Sequence, residues 1–128
     1  MNQATIFLME EDDETRGPLV RNLRAEGYRV VVALDEEDAL ERAGGGRAPA
    51  DLILVDLVGK STQEGLDVGQ RIRARAGHDG HTPLVVMAER YGKDVEGTEA
   101  QVGDNDWVLY LGEEPRQLRN LLARLLGK

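Results

Sequence analysis

Asp51-Leu52-Ile53-Leu54-Val55-Asp56 sets four aliphatic residues in a row between two carboxylates. An unbroken apolar run cannot alternate between a core face and a wet face. It therefore predicts a strand covered on both sides, as in a parallel sheet with helices above and below. Asp56 then stands at the carboxyl end of that strand. In open α/β sheets ligands bind just beyond those ends, so a carboxylate there is a reactive group, a metal ligand or a solvated strand end.

The pattern recurs to the N-terminal side. Thr5-Ile6-Phe7-Leu8-Met9 is a second nearly unbroken apolar run, and it leads straight into Glu10-Glu11-Asp12-Asp13-Glu14. Leu19, Val20 and Leu23 follow at helical spacing and Gly27 closes them, so the acids lie at a helix N-terminus, where exposed amides favour negative charge. Pro18 is tolerated in a first turn, which puts the helix start near residues 15–17. Compensation of the helix dipole accounts for Asp13 and Glu14. Glu10 and Glu11 belong instead to the strand tip. Residues 28–34, with Val30-Val31-Val32, read as the next strand, and Asp35 followed by Asp38 reads as an N-cap with an acid three residues on. Gly44-Gly45-Gly46 ends that helix; glycines that follow a helix and precede a strand are in the reverse order for a phosphate cradle.

To the C-terminal side, residues 57–65 form a loop, and the helix after it turns Leu66, Ile72 and Ala76 inward and Arg71, Arg73 and Arg75 outward. Gly59-Lys60-Ser61-Thr62 imitates the end of a nucleotide-binding loop, but the first glycine that motif requires falls on Leu54, inside the strand. His78 and His81 lie in a surface turn with no other ligand types beside them. Residues 83–88 and 107–111 read as a fourth and a fifth strand. Residues 89–103 between them are expected to form a short or mobile helix: Val95, Ala100 and Val102 suit one, while Gly92, Gly97 and Gly103 each weaken it by up to about 1 kcal/mol relative to alanine. In the last helix Leu118, Leu121, Leu122, Leu125 and Leu126 form one stripe, with Arg116, Arg119 and Arg124 outside it. Five strands alternating with five helices describe a single α/β domain over residues 1–128, a doubly wound five-stranded parallel sheet with right-handed crossovers.

Composition narrows the function. The chain of 128 residues has no cysteine, which removes disulfides and thiolate chemistry and is compatible with a reducing compartment. No segment approaches the roughly 20 apolar residues that cross a bilayer, so a soluble cytoplasmic protein is expected. With 24 acidic against 16 basic residues and a net charge of −8, binding of nucleic acid through its phosphates is not expected. A cation site or a basic partner fits that charge.

Acids at the tip of the first strand, Asp56 at the tip of the third and five βα units together resemble the CheY-like receiver domains of two-component response regulators, within the flavodoxin-like class. The resemblance spans essentially the whole chain. It implies that Asp56 accepts a phosphoryl group from a histidine kinase or phosphotransfer protein. It also implies a Mg²⁺ site made by Glu10, Glu11, Asp56 and the carbonyl of Val58, with Asp12 an alternative to Glu11. Oxygen ligands and retained water suit that ion. The chain departs from the family at several points. Ala88 stands where a Thr or Ser would bond the phosphoryl group, and Tyr110 where a lysine would pair with it; no lysine lies between residues 94 and 127. Gly59-Lys60 replaces the usual Met-Pro turn, the stretch from there to Gly65 is one residue longer than usual, and Glu11 is one methylene longer than the customary Asp. Lys60 is a candidate substitute for the missing lysine. Trp107 aligns with the switch aromatic, and without a hydroxyl at Ala88 it is expected to hold one rotamer.

The expected role is a receiver in a phosphorelay with altered or impaired switching, not an enzyme. Its output surface is formed by the fourth helix, fifth strand and last helix, against a partner still unidentified. Homodimerisation stays open. The alternatives are a phosphorylation-independent adaptor and, behind it, a small metal-dependent phosphohydrolase.

Overall fold

The computed structural model describes residues 3–44, 50–56, 61–77, 81–88, 92–112 and 116–127. The elements in chain order are β1 (Thr5–Glu10), α1 (Asp13–Ala25), β2 (Arg29–Ala33), α2 (Glu36–Ala43), β3 (Leu52–Asp56), α3 (Thr62–Arg75), β4 (Leu84–Ala88), β5 (Glu99–Gln101), β6 (Asp106–Tyr110) and α4 (Gln117–Leu126). One six-stranded sheet has the order β2-β1-β3-β4-β6-β5. All its pairings are parallel except β5 with β6. The doubly wound class expected from the apolar runs is the one observed. The runs themselves are buried throughout: every residue of β1, β3 and β4 is inaccessible or nearly so.

Period-two alternation sends the side chains of each strand to two cores. Phe7, Met9, Ile53, Val55, Val86 and Val108 meet α2 and α3 on one face. Ile6, Leu8, Leu52, Leu54, Val85 and Leu109 meet α1 and α4 on the other. The leucine stripe of the last helix is as expected, with Leu121 and Leu122 fully buried. Among the described residues no helix is long and apolar enough to cross a membrane.

Three expectations are corrected. First, no helix lies among the described residues between β4 and β6. Lys93–Val95 make one 3-10 turn, and the chain then pairs antiparallel with β6 as β5, giving four helices and a mixed sheet. The reason is local. Gly97 adopts φ +79° and donates to the Tyr110 carbonyl at 2.8 Å, and a side chain on Gly112 would meet the Gly97 Cα at 2.9 Å. Glycine at both positions lets the segment close against the end of β6. Where a fourth helix is expected beside the last strand and last helix, the described residues place β5 against β6, with Glu99 paired to Arg124 of α4. Second, α1 begins at Asp13, and Pro18 lies inside it, not in its first turn. The cap formed by Asp12, which accepts from Glu14 N at 2.9 Å, fixes the start earlier than the proline does. Third, Arg73 is not a solvated residue: it donates to Asp106 at 2.7 Å and to the Thr82 carbonyl at 3.1 Å, with its side chain only 14% exposed.

Candidate functional site

The chain reverses its winding direction between β1 and β3, the second and third strands of the sheet order. That crevice, beyond the carboxyl ends, is where an open sheet leaves room for a ligand. Glu10 and Asp56 are the last residues of these two strands, and they are register partners. Leu8 and Leu54, two residues earlier, both belong to the α1–α4 core, so alternation turns Glu10 and Asp56 toward that side. Both are buried, Glu10 completely and Asp56 to 4% exposure. Asp56 forms part of the wall of a cavity of about 290 Å³, with Leu19, Asn22, Met87, Leu111 and Leu118.

Around this tip the N-terminus of α1 is arranged by hydrogen bonds. Glu10 Oε2 accepts from Asp12 N at 3.3 Å. The Asp12 carboxylate accepts from Glu14 N and from the Thr15 hydroxyl, both at 2.9 Å. The Thr15 hydroxyl, and after it the Glu14 amide, hold Asp12 below its ordinary carboxylate pKa. Asp12 thus acts as the helix cap. Glu11, Asp12, Asp13 and Glu14 line an open depression on the surface. Ser61 starts α3 with a reciprocal cap: its Oγ accepts from Glu64 N at 3.1 Å and its own amide donates to Glu64 Oε1 at 3.0 Å.

The structure brings Glu10 and Asp56 together and leaves other expected residues apart. Glu11 is half-buried beside the surface depression, and among the described residues no group of three or more His, Cys, Asp or Glu side chains is placed to hold a metal ion. Two adjacent carboxylates still suit Mg²⁺, which binds through one or two carboxylates and keeps several waters. Val58 and Lys60 lie outside the described residues, as does His78; His81 is exposed. Ala88 belongs to the α2–α3 core and Tyr110 packs against that same cluster, whereas Trp107 packs against the α1–α4 core. The Trp107 indole Nε1 is buried and finds no acceptor among the described residues.

Two residues at this edge escape sequence reading. Arg16 reaches back from α1, pairs with Asp13 and donates through Nη1 to the Glu10 carbonyl at 2.8 Å. Its spacing of three from Asp13 was the available signal. Gln117, 9% exposed, donates to the carbonyls of Tyr110 at 2.9 Å and Thr98 at 3.3 Å, and accepts from Gly112 N at 2.8 Å. Nothing in a lone glutamine at a helix start announces such a clamp.

No protein-family model matches the chain. It is similar to the sensory transduction protein RegX3 of Mycobacterium tuberculosis, 29% identical over 122 residues that are 95% of this chain and 49% of RegX3. The chain spans about half the length of the curated relatives it matches. Among solved structures it resembles chemotaxis protein CheY4 of Vibrio cholerae, with TM-score 0.68 and 21% identity, covering 97% of this chain and 99% of that one. It also resembles the receiver domain of sensor histidine kinase PA1611 from Pseudomonas aeruginosa, with TM-score 0.67 and 25% identity, covering 99% and 100%. That structure holds a magnesium ion in its active-site cleft.

Proposed function

We propose that this chain, a CheY-like receiver domain, serves two-component signalling by taking a phosphoryl group on Asp56 from a histidine kinase or phosphotransfer protein. The observation that carries the reading is the register pairing of buried Glu10 and Asp56 at the reversal between β1 and β3. In the reaction an Asp56 carboxylate oxygen attacks phosphorus. The bond from phosphorus to the donor breaks, the electron pair leaves with the imidazole or other donor, and Asp56 becomes an acyl phosphate. Glu10 and Asp56 would hold Mg²⁺, with the Val58 carbonyl as the further ligand the resemblance implies. When bound, the ion neutralises charge on the phosphoryl oxygens. The amide of Asp12 and the α1 dipole hold Glu10 in place as the anion that faces it.

Ala88 supplies no hydroxyl and Tyr110 no ammonium to the transferred group, and bonds of those kinds contribute roughly 1.5 to 3 kcal/mol each. Their absence favours a second reading, a phosphorylation-independent adaptor. In either reading Trp107, packed among the apolar side chains on the α4 side, stays in one rotamer, and the output surface is the one formed by β5, β6 and α4. The test is intact mass after incubation with Mg²⁺ and acetyl phosphate. A labile single phosphoryl adduct in the wild type and none in Asp56→Asn supports the first reading. A folded wild type that takes no adduct refutes it and leaves the adaptor.

A further inference from the structure

We propose that Arg16 is a resident cation of the acid tip, a guanidinium with which a divalent ion must compete to reach Glu10 and Asp56. The inference rests on the metal-site reading above and adds a regulator to it. Arg16 stands between two sets of acids. One of its nitrogens meets Asp13, which with Glu11, Asp12 and Glu14 lines an open acidic depression. Another donates at 2.8 Å to the carbonyl of Glu10, the residue whose register partner is Asp56. Neighbouring strands lie about 4.8 Å apart, so a charge bonded to the Glu10 carbonyl is close to any ion held between the two tips. The arginine is no flexible surface chain: its side chain is 17% exposed although it belongs to the helix that carries the outer acids.

Two effects follow from that position. The positive charge offsets part of the repulsion among the acids when no metal is present. The same charge repels an incoming Mg²⁺, whose binding is then weaker than two buried carboxylates alone would give. Occupancy becomes a competition between an internal and an external cation, responsive to the concentration of the latter.

The test is Mg²⁺ binding by isothermal calorimetry to the full chain, comparing wild type with Arg16→Gln, Arg16→Ala and Arg16→Lys after circular dichroism shows each to be folded. Removing the charge is expected to tighten Mg²⁺ binding about ten-fold in both the Gln and Ala variants, whereas Arg16→Lys stays near the wild type. Unchanged or weaker binding in the Gln and Ala variants overturns the proposal, and so does a Lys variant that binds as tightly as Gln. The phosphoryl adduct on Asp56 is read separately, by mass. A wild type that forms the adduct while Arg16→Gln binds Mg²⁺ no better refutes only the role of Arg16.

Discussion

Asp106→Ala is expected to destabilise the domain by about 3 kcal/mol, through the charge it leaves behind. Asp106 is 7% exposed at the first position of β6, and its two oxygens accept from Arg73 at 2.7 Å and Gln70 at 3.0 Å, both on α3. Breaking a fully buried pair by removing one partner costs about 3 to 5 kcal/mol, since the surviving ion keeps its desolvation without its counter-charge. The lower end applies here, because Arg73 retains the Thr82 carbonyl and some contact with water. A domain of this size has roughly 5 to 15 kcal/mol to lose, so the variant stays folded. In urea, with a slope near 2 kcal/mol/M, the midpoint falls by roughly 1.5 M at unchanged slope. Circular dichroism is the probe to use, because Trp107 adjoins the substitution. Replacing both partners, as in Arg73→Met with Asp106→Leu, is expected to restore stability to within about 1 kcal/mol of the wild type. A loss below about 1 kcal/mol in Asp106→Ala alone would show that Arg73 reaches water freely, and the reasoning would fail.

Two glycines in helices make opposite predictions for the same substitution. Gly17→Ala should raise stability by about 0.5 to 1 kcal/mol, since a Cβ there meets only Arg21 Nη1 at 3.9 Å. Gly69→Ala should lower it by about 1 to 3 kcal/mol, because its Cβ would fall 2.3 Å from Leu84 Cδ1 in a packed core; thermal melts of the two variants check the sign. Ser61→Ala removes the reciprocal cap of α3 and should cost about 1 kcal/mol in urea unfolding. Asp12 has a folded pKa below its ordinary 3.8, so the stability it adds is present above that value and is lost as pH falls through the folded pKa. Asp12→Ala should therefore melt below the wild type at pH 7, with the gap closing as pH drops under 3.8.

The parts of the fold that were legible in the sequence are those fixed by short-range pattern. Four aliphatics in a row at Leu52 to Val55 admit no half-exposed strand, and Asp56 at their end could lie nowhere but the sheet's carboxyl edge. Glu10 followed from the same logic applied to β1. The segment after β4 was not legible, because Glu99, Ala100 and Gln101 carry no strong strand preference. What makes them a strand is the open edge of β6 and the close approach of Gly97 to Gly112, both contacts between residues distant in sequence. Arg73 misled for a related reason. Helical periodicity places it beside Arg71 and Arg75, two exposed residues, and only the presence of Asp106 on a strand 33 residues later draws it inward. The start of α1 shows two local signals in competition, a capping aspartate and a proline, and the cap prevailed.

The acid tip poses an electrostatic problem that is met by backbone amides and by one arginine of α1. Two ionised carboxylates about 5 Å apart at an effective dielectric near 20 would repel by roughly 3 kcal/mol, and burial beside a like charge raises the cost of ionising either group; Glu10 and Asp56 occupy adjacent strand ends with almost no contact with water. Against this stand, among the described residues, the Asp12 amide on Glu10, the positive end of α1 and the Arg16 guanidinium on the Glu10 carbonyl. All three come from the turn and the first residues of α1, so the helix start cannot move without exposing the repulsion. A helix start at Asp13 capped by Asp12 keeps these groups beside Glu10, whereas Pro18 sits further on and touches none of the acids' hydrogen bonds. The residues that make the tip able to hold a cation are thus the ones that depend on α1 beginning where it does.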